Sequence, residues 1–245
     1  RVYCETVMLI GILETGRPPE ELQTAYGSYV DMFKRLLGGA DDSFEFKVYA
    51  VLDNELPTDP AECDAWLVTG SRHGVYENLP WMLKLQDFIR AVWQAEVPMI
   101  GICFGHQVIA TALGGKVEKS AKGWGVGLQE YTVKQPQDWM DERQSITFNA
   151  MHQDQVVELP TEAEVFASSE FCEFAGLVYG GRILTFQGHP EFTTEFEESL
   201  LKLRRGAVVP NPVADPALAS LESGEIQPEA QSGEWMAKFL KRAAH

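Results

Sequence analysis

Val97-Pro98-Met99-Ile100-Gly101-Ile102-Cys103-Phe104-Gly105-His106-Gln107-Val108-Ile109-Ala110-Thr111-Ala112-Leu113 changes character in its middle. Val97 to Ile100 is a short apolar run that reads as a buried strand. Val108 to Leu113 reads as a buried helix ended by Gly114-Gly115. Cys103 falls at the turn between them, with Gly101 before it and Gly105 after it. Glycines lack Cβ atoms, so strand, turn and helix can crowd around a strained nucleophile. The helix N-terminus supplies free N–H groups and partial positive charge, which favour thiolate over thiol. The Phe104 N–H can point at a developing oxyanion. The pattern is a nucleophile elbow with Cys in place of Ser. A small core cysteine is the plainer alternative, and the rest of the chain weighs between the two.

Upstream, Thr6 to Leu13 is a continuous apolar run, the pattern of a central parallel strand. A loop over Glu14–Pro19 leads to a helix predicted from Pro19 to Leu37 and ended by Gly38-Gly39. Phe44 to Leu52 alternates as a strand does, and Asp64 to Thr69 reads as another buried strand. The loop Gly70-Ser71-Arg72-His73-Gly74 follows, then a helix from Leu79-Pro80 to Ala95. This β-α-β-β-α-β-α rhythm predicts an α/β fold, a doubly wound, mostly parallel sheet. Ligands of such sheets bind at the carboxyl ends of the strands, so the loops after Leu13, after Thr69 and at Cys103 should share one rim.

The second half reads as a small antiparallel addition. Its strands are predicted before Val133 and over 145–151, 156–158, 164–168, 173–179 and 182–186, with Gly180-Gly181 as a hairpin turn. Trp124, inside the glycine-spaced segment Gly123–Gly127, is expected in the core. Thr193 or Thr194 can cap a helix to Arg205. We therefore expect one catalytic domain over 1–205. Residues 206–245 read as a loose, proline-containing tail with a short amphipathic helix, Glu234–Arg242, whose Trp235, Met236, Phe239 and Leu240 dock back. The sequence has no internal repeat.

The 245 residues carry a net charge of −16, with no basic cluster. That argues against nucleic acid or an anionic membrane as partner, since both need Lys/Arg stripes. Cys4, Cys63, Cys103 and Cys172 are scattered, so neither a zinc site nor a disulfide framework is expected. A reducing, cytoplasmic compartment fits this usage. No apolar run approaches ~18–20 residues, and the first residues do not read as a secretory leader. No glycine-rich phosphate loop or dinucleotide fingerprint appears, so no metal and no cofactor is expected.

A thiol nucleophile needs a base, and the base needs an orienting group. Gln187-Gly188-His189-Pro190-Glu191 offers both. In an extended segment, residues i and i+2 project to one side. His189 and Glu191 would then stand together, the carboxylate on one imidazole nitrogen and Cys103 on the other. A turn with an unrelated His and a solvated Glu is the alternative for this segment alone. With the elbow upstream, the catalytic set Cys103, His189 and Glu191 is the better reading.

Ile100–Gln107 followed by Gly188-His189-Pro190-Glu191 resembles the class I (triad-type) glutamine amidotransferases. The likeness is greatest to the amidotransferase part of GMP synthase and to stand-alone relatives. It implies a flavodoxin-like fold, attack by Cys103 on a γ-glutamyl amide, proton transfer by His189, and a γ-glutamyl thioester. It also implies an oxyanion hole from the Phe104 N–H and the Gly70-Ser71 loop, with either loop residue able to donate. Gln107 matches a substrate-contacting glutamine. His152-Gln153-Asp154 matches the family's His-Gly-Asp segment, which also touches substrate. Gly70-Ser71 replaces a pair of glycines and Gln153 replaces a glycine, and both departures resemble stand-alone γ-glutamyl peptidases. His106 is expected to be a packing residue and His73 a solvated loop residue.

The expected function is hydrolysis of the γ-amide of glutamine or of another γ-glutamyl amide. If ammonia is channelled, an acceptor or synthetase subunit must be supplied in trans. A stand-alone γ-glutamyl peptidase is the alternative, and a non-catalytic binding or regulatory relative is the alternative from another class.

Overall fold

The computed structural model describes residues 6–245, so Cys4 lies outside the described residues. The first half comprises β1 (Met8–Leu13), α1 (Glu20–Tyr26), α2 (Tyr29–Ala40), β2 (Phe44–Tyr49), β3 (Ala65–Val68), α3 (Pro80–Gln94), β4 (Met99–Ile102) and α4 (Phe104–Ala112). The strands β5 (Lys116–Lys119), β6 (Gly125–Val133), β7 (Ser145–His152), β8 (Asp154–Glu158), β9 (Ala163–Ser168), β10 (Gly176–Tyr179) and β11 (Ile183–Phe186) follow. Three helices close the chain: α5 (Thr194–Arg204), α6 (Asn211–Ser223) and α7 (Ser232–Ala243).

The main sheet has the order β2-β1-β3-β4-β11-β10-β9-β6-β7. From β2 to β11 it is parallel. From β11 onward each neighbour is antiparallel. β5 and β8 form a separate antiparallel pair. The parallel part has the 2-1-3-4-5 order of a flavodoxin-like doubly wound sheet. The expectation of an α/β fold with an antiparallel addition in the second half therefore holds. The inner parallel strands β1, β3 and β4 are apolar because helices cover both faces, whereas the edge strand β2 alternates and exposes Glu45 and Lys47. Trp66, Val68 and Ile109 belong to the cluster packed by α3 and α4. Ile10, Ile12 and Phe33 belong to the opposite cluster, which α2 and α7 cover. Among the described residues no helix is long and apolar enough to cross a membrane.

The structure departs from the sequence reading in three places. The helix predicted over 19–37 is two helices. Gly27 takes φ 77°, and Ser28 starts α2 with a capping box to Asp31. That Ser-x-x-Asp start signal outweighs the continuous apolar stripe. α2 also runs through Gly38-Gly39, expected to end it, to Ala40. The segment after Gly206, read as loose, holds α6. Pro212 lies in its first turn, where a missing N–H costs nothing. Tertiary packing then secures it: Ala214 and Leu221 are buried, and Ala217 lies against Gly127 of β6. α7 forms where the amphipathic helix was expected, with Trp235, Met236, Phe239 and Leu240 buried. The Gly180-Gly181 hairpin is present, with φ 55° and 70° as a primed turn needs.

Candidate active site

The strand order puts the carboxyl ends of β3, β4 and β11 side by side. Gly70 and Ser71 follow β3, Cys103 ends β4, and His189 follows β11. The expected rim is therefore assembled from separate parts of the chain.

Cys103 has φ 53° and ψ −103°, a strained conformation for a residue with a side chain. Its N–H donates to Phe186 O at 2.9 Å, and its carbonyl accepts the Gln107 N–H at 3.0 Å. The flanking glycines are sterically required. A Cβ on Gly101 would lie 2.7 Å from Gly105 O, and one on Gly105 would lie 2.3 Å from Val68 O. As the first residue of α4, Phe104 has an N–H with no partner inside the helix.

His189 is pinned by its own N–H, which donates to Asn149 O of β7 at 2.8 Å. Its Nδ1 lies 2.9 Å and 3.3 Å from the two carboxylate oxygens of Glu191. Glu191 therefore fixes Nδ1 as a donor and leaves Nε2 for the thiol. Burial works against an imidazolium here. The Glu191 carboxylate and Cys103 outweigh it and raise the pKa from 6.5 to about 10. A Cβ on Gly70 would lie 3.1 Å from His189 Cε1 and 3.8 Å from Cys103 Cβ, so the loop after β3 closes directly over this pair.

A cleft of about 450 Å³ opens at Cys103, lined by Ser71, Arg72, Tyr76, Gln107, Trp124, His152, Gln153, Asp154 and Arg204 among others. Every residue predicted to touch substrate borders it. Gln107 Nε2 donates to Asp154 O at 3.0 Å and to Gln187 Oε1 at 3.1 Å. His152 is buried, with Nδ1 3.0 Å from Asp154 O. Burial lowers its pKa to about 4, so it is neutral. Burial raises the pKa of Asp154, which accepts from Tyr76 OH at 2.9 Å across the cleft.

Trp124, expected in the core, is only partly buried and forms part of the cleft wall. His73 is not simply solvated; its Nδ1 faces the Glu77 carboxylate at 3.2 Å. His106 is a packing residue as expected, buried with Nδ1 2.7 Å from Thr185 Oγ1, and burial lowers its pKa to about 3. Sequence reasoning missed Gln187, whose Nε2 lies 3.6 Å from Cys103 Sγ. A buried amide beside Gly188-His189 was its only signal. It also missed Phe192, whose ring packs on the imidazole, and Asn149, whose carbonyl accepts the main-chain N–H of His189.

A 2-1-3-4-5 sheet with a cysteine elbow and a His–Glu pair on adjacent strand ends fits what the resemblance to the class I glutamine amidotransferases implies. The chain belongs to the class I glutamine amidotransferase family, whose model matches residues 26–204. A Schizosaccharomyces pombe protein named for its likeness to glutamine amidotransferases is 34% identical over 212 residues, 82% of this chain and 86% of that one. Gamma-glutamyl peptidase 2 of Arabidopsis thaliana is 28% identical over 230 residues, 91% of each chain. The crystal structure of a glutamine amidotransferase from Thermotoga maritima superposes with a TM-score of 0.73 at 19% identity, covering 98% of both chains.

Proposed function

We propose that this chain hydrolyses the γ-amide bond of glutamine or of another γ-glutamyl amide through a thioester on Cys103. The observation that carries this reading is the His189–Glu191 pair at 2.9 Å, held beside a cysteine at a strained elbow. The Cys103 thiolate attacks the γ-carbonyl carbon. The oxyanion is received by the Phe104 N–H and by the Gly70-Ser71 loop, where one such donor is worth about 10²–10³ in rate. His189 Nε2 gives its proton to the departing nitrogen as the C–N bond breaks. Water, deprotonated by His189, then attacks the thioester and releases glutamate and the thiol. Glu191 keeps the imidazole in one tautomer through both steps. Gln107, His152, Gln153 and Asp154 form the wall that receives the glutamyl portion.

The size of the cleft favours a second reading, a γ-glutamyl peptide as substrate. The cleft extends past Cys103 to Tyr76, Trp124 and Val208, an apolar wall that an ammonia leaving group does not use. Arg72 and Arg204 border the same space, and their guanidinium groups suit carboxylates. If ammonia is the product that matters, an acceptor subunit in trans must take it.

The test is glutamate release from glutamine and from a panel of γ-glutamyl peptides and amines, with Cys103→Ala as control. Release from glutamine that the variant lacks supports the amidotransferase reading. Release confined to γ-glutamyl peptides supports the peptidase reading. Release that survives in Cys103→Ala overturns both.

A further inference from the structure

The loop between β3 and the elbow is held by a hydroxyl network on the side away from Cys103. Thr15, just after β1, is fully buried, as is Thr69. The Thr15 N–H donates to Thr69 Oγ1 at 3.0 Å. The Thr15 hydroxyl lies 2.8 Å from Thr69 O and 3.1 Å from Gly70 O. Thr69 Oγ1 lies 3.2 Å from Gly70 O. With one proton per hydroxyl, Thr15 bonds the Thr69 carbonyl and Thr69 bonds the Gly70 carbonyl, so every buried polar group in the set has a partner.

This network fixes the direction of two peptide planes. β3 lies between β1 and β4, with Thr15 at the end of β1 and Cys103 at the end of β4. The carbonyls of Thr69 and Gly70 both turn to the β1 side. In a planar trans peptide the N–H points opposite to the carbonyl, and the described residues contain no cis peptide bond. The Gly70 and Ser71 N–H groups therefore turn to the β4 side, as successive donors do in an anion-binding concavity. Neither has a backbone acceptor among the described residues. Gly16 closes the remaining side: a Cβ there would lie 2.7 Å from Ser71 Cα and 2.8 Å from Gly70 O. Nothing larger than glycine fits, so the peptide is gripped on the β1 side by Gly16 and Thr15.

We infer that Thr15 is a positioning residue that locks the Thr69–Gly70 peptide directly, and the Gly70–Ser71 peptide through Thr69, with their N–H groups toward Cys103, so that the oxyanion hole is assembled in the isolated chain. This rests on Cys103 being the nucleophile. Ser71 then substitutes for glycine without loss, because the donor is a backbone N–H and the carbonyl before it is clamped.

Thr15→Val keeps the volume and removes the hydroxyl, and Thr15→Ser keeps the hydroxyl. Thr15→Val is expected to lower kcat by about 10²-fold, toward the loss of one oxyanion donor. KM should stay within about twofold, because the interaction is made in the transition state. Thr15→Ser should recover most of the rate. Alkylation of Cys103 by iodoacetamide should be equal in all three proteins, since it needs the thiolate and not the oxyanion hole. Crystal structures supply a readout that needs no substrate. The Thr69–Gly70 peptide should keep its orientation in the wild type and in Thr15→Ser, and rotate in Thr15→Val. An unrotated peptide in Thr15→Val, an unchanged kcat, or a loss shared equally by Thr15→Ser would overturn the inference. A rotated peptide in a protein whose wild type releases no glutamate would uphold the clamp and overturn the proposed activity.

Discussion

The imidazole of His189 lies flat on the ring of Phe192, with ring centroids 3.8 Å apart and planes 2° from parallel. Phe192 is itself wedged between Tyr29 and Phe196. The His189 ring is thus restrained in its plane by Glu191 and across its face by Phe192. Phe192→Leu keeps an apolar side chain of similar size and removes the flat surface. Its expected kcat is about 10- to 100-fold lower, the scale of a small misplacement of a reacting group. Its expected stability loss is only about 1 kcal/mol, as for a volume-conserving core swap. Steady-state kinetics and thermal denaturation measure both. An unchanged kcat would mean that Glu191 alone holds the ring.

Glu191 accepts from Nδ1, and its side chain is almost wholly shielded from water. Glu191→Gln keeps the shape and removes the charge. The neutral amide can present its N–H to Nδ1 and so select the tautomer whose Nε2 carries the proton. In Ser-His-Asp triads the equivalent change costs about 10⁴ in kcat. A loss of about that size is expected here, without a matching change in KM. A loss below about tenfold would assign Glu191 a packing role and weaken the triad reading.

Much of this site was legible because its signals are local. Gly101 and Gly105 bracket Cys103 within a few residues, and the crowding that demands them is a property of any sharp strand-to-helix turn. His189 and Glu191 were paired by the alternation of an extended segment. What stayed hidden depends on contacts between distant segments. The approach of Gln187 to Cys103 Sγ requires β11 and β4 to be neighbours, which no local pattern announces. α6 was hidden for another reason: Pro210, Pro212 and Pro216 read as breakers, yet Pro212 falls in a first turn, and burial of Ala214 and Leu221 carries the rest. No sequence pattern sets Glu197 apart from the neighbouring Glu195 and Glu198, and only the packing of α5 on β6 buries it.

Glu197 is fully buried, accepts the Gly127 N–H at 3.0 Å through Oε1, and has no hydrogen-bond partner for Oε2 among the described residues. Burial raises its pKa from 4.5 to about 7. Between those values the folded state binds more protons than the unfolded state, so this group makes stability fall as pH rises from about 4.5 to about 7. Glu197→Gln can keep the bond to Gly127 and carries no charge. Its melting temperature relative to the wild type should therefore rise across that interval and level off above it. Melting curves at pH 5 and pH 8 decide the matter. A difference independent of pH would mean that Glu197 ionises as freely when folded as when unfolded.

His189 has the opposite linkage. Its folded-state pKa is raised from 6.5 to about 10, so the folded protein binds this proton more tightly than the unfolded chain. The resulting stabilisation is fully present below about pH 6.5 and is lost as pH rises through about 10. His189→Asn lacks it, so the gap in melting temperature between wild type and variant should narrow steadily from pH 6.5 to pH 10. The same proton keeps a cation beside Cys103 at neutral pH. Alkylation of Cys103 by iodoacetamide at pH 7 should therefore be slower in His189→Asn, with the two proteins converging at alkaline pH as the wild type loses its imidazolium. A narrowing gap together with converging alkylation rates identifies the resting site as a thiolate–imidazolium pair. A constant gap with equal rates at pH 7 would mean that His189 rests neutral, and that it must draw the proton from Cys103 only once substrate has arrived.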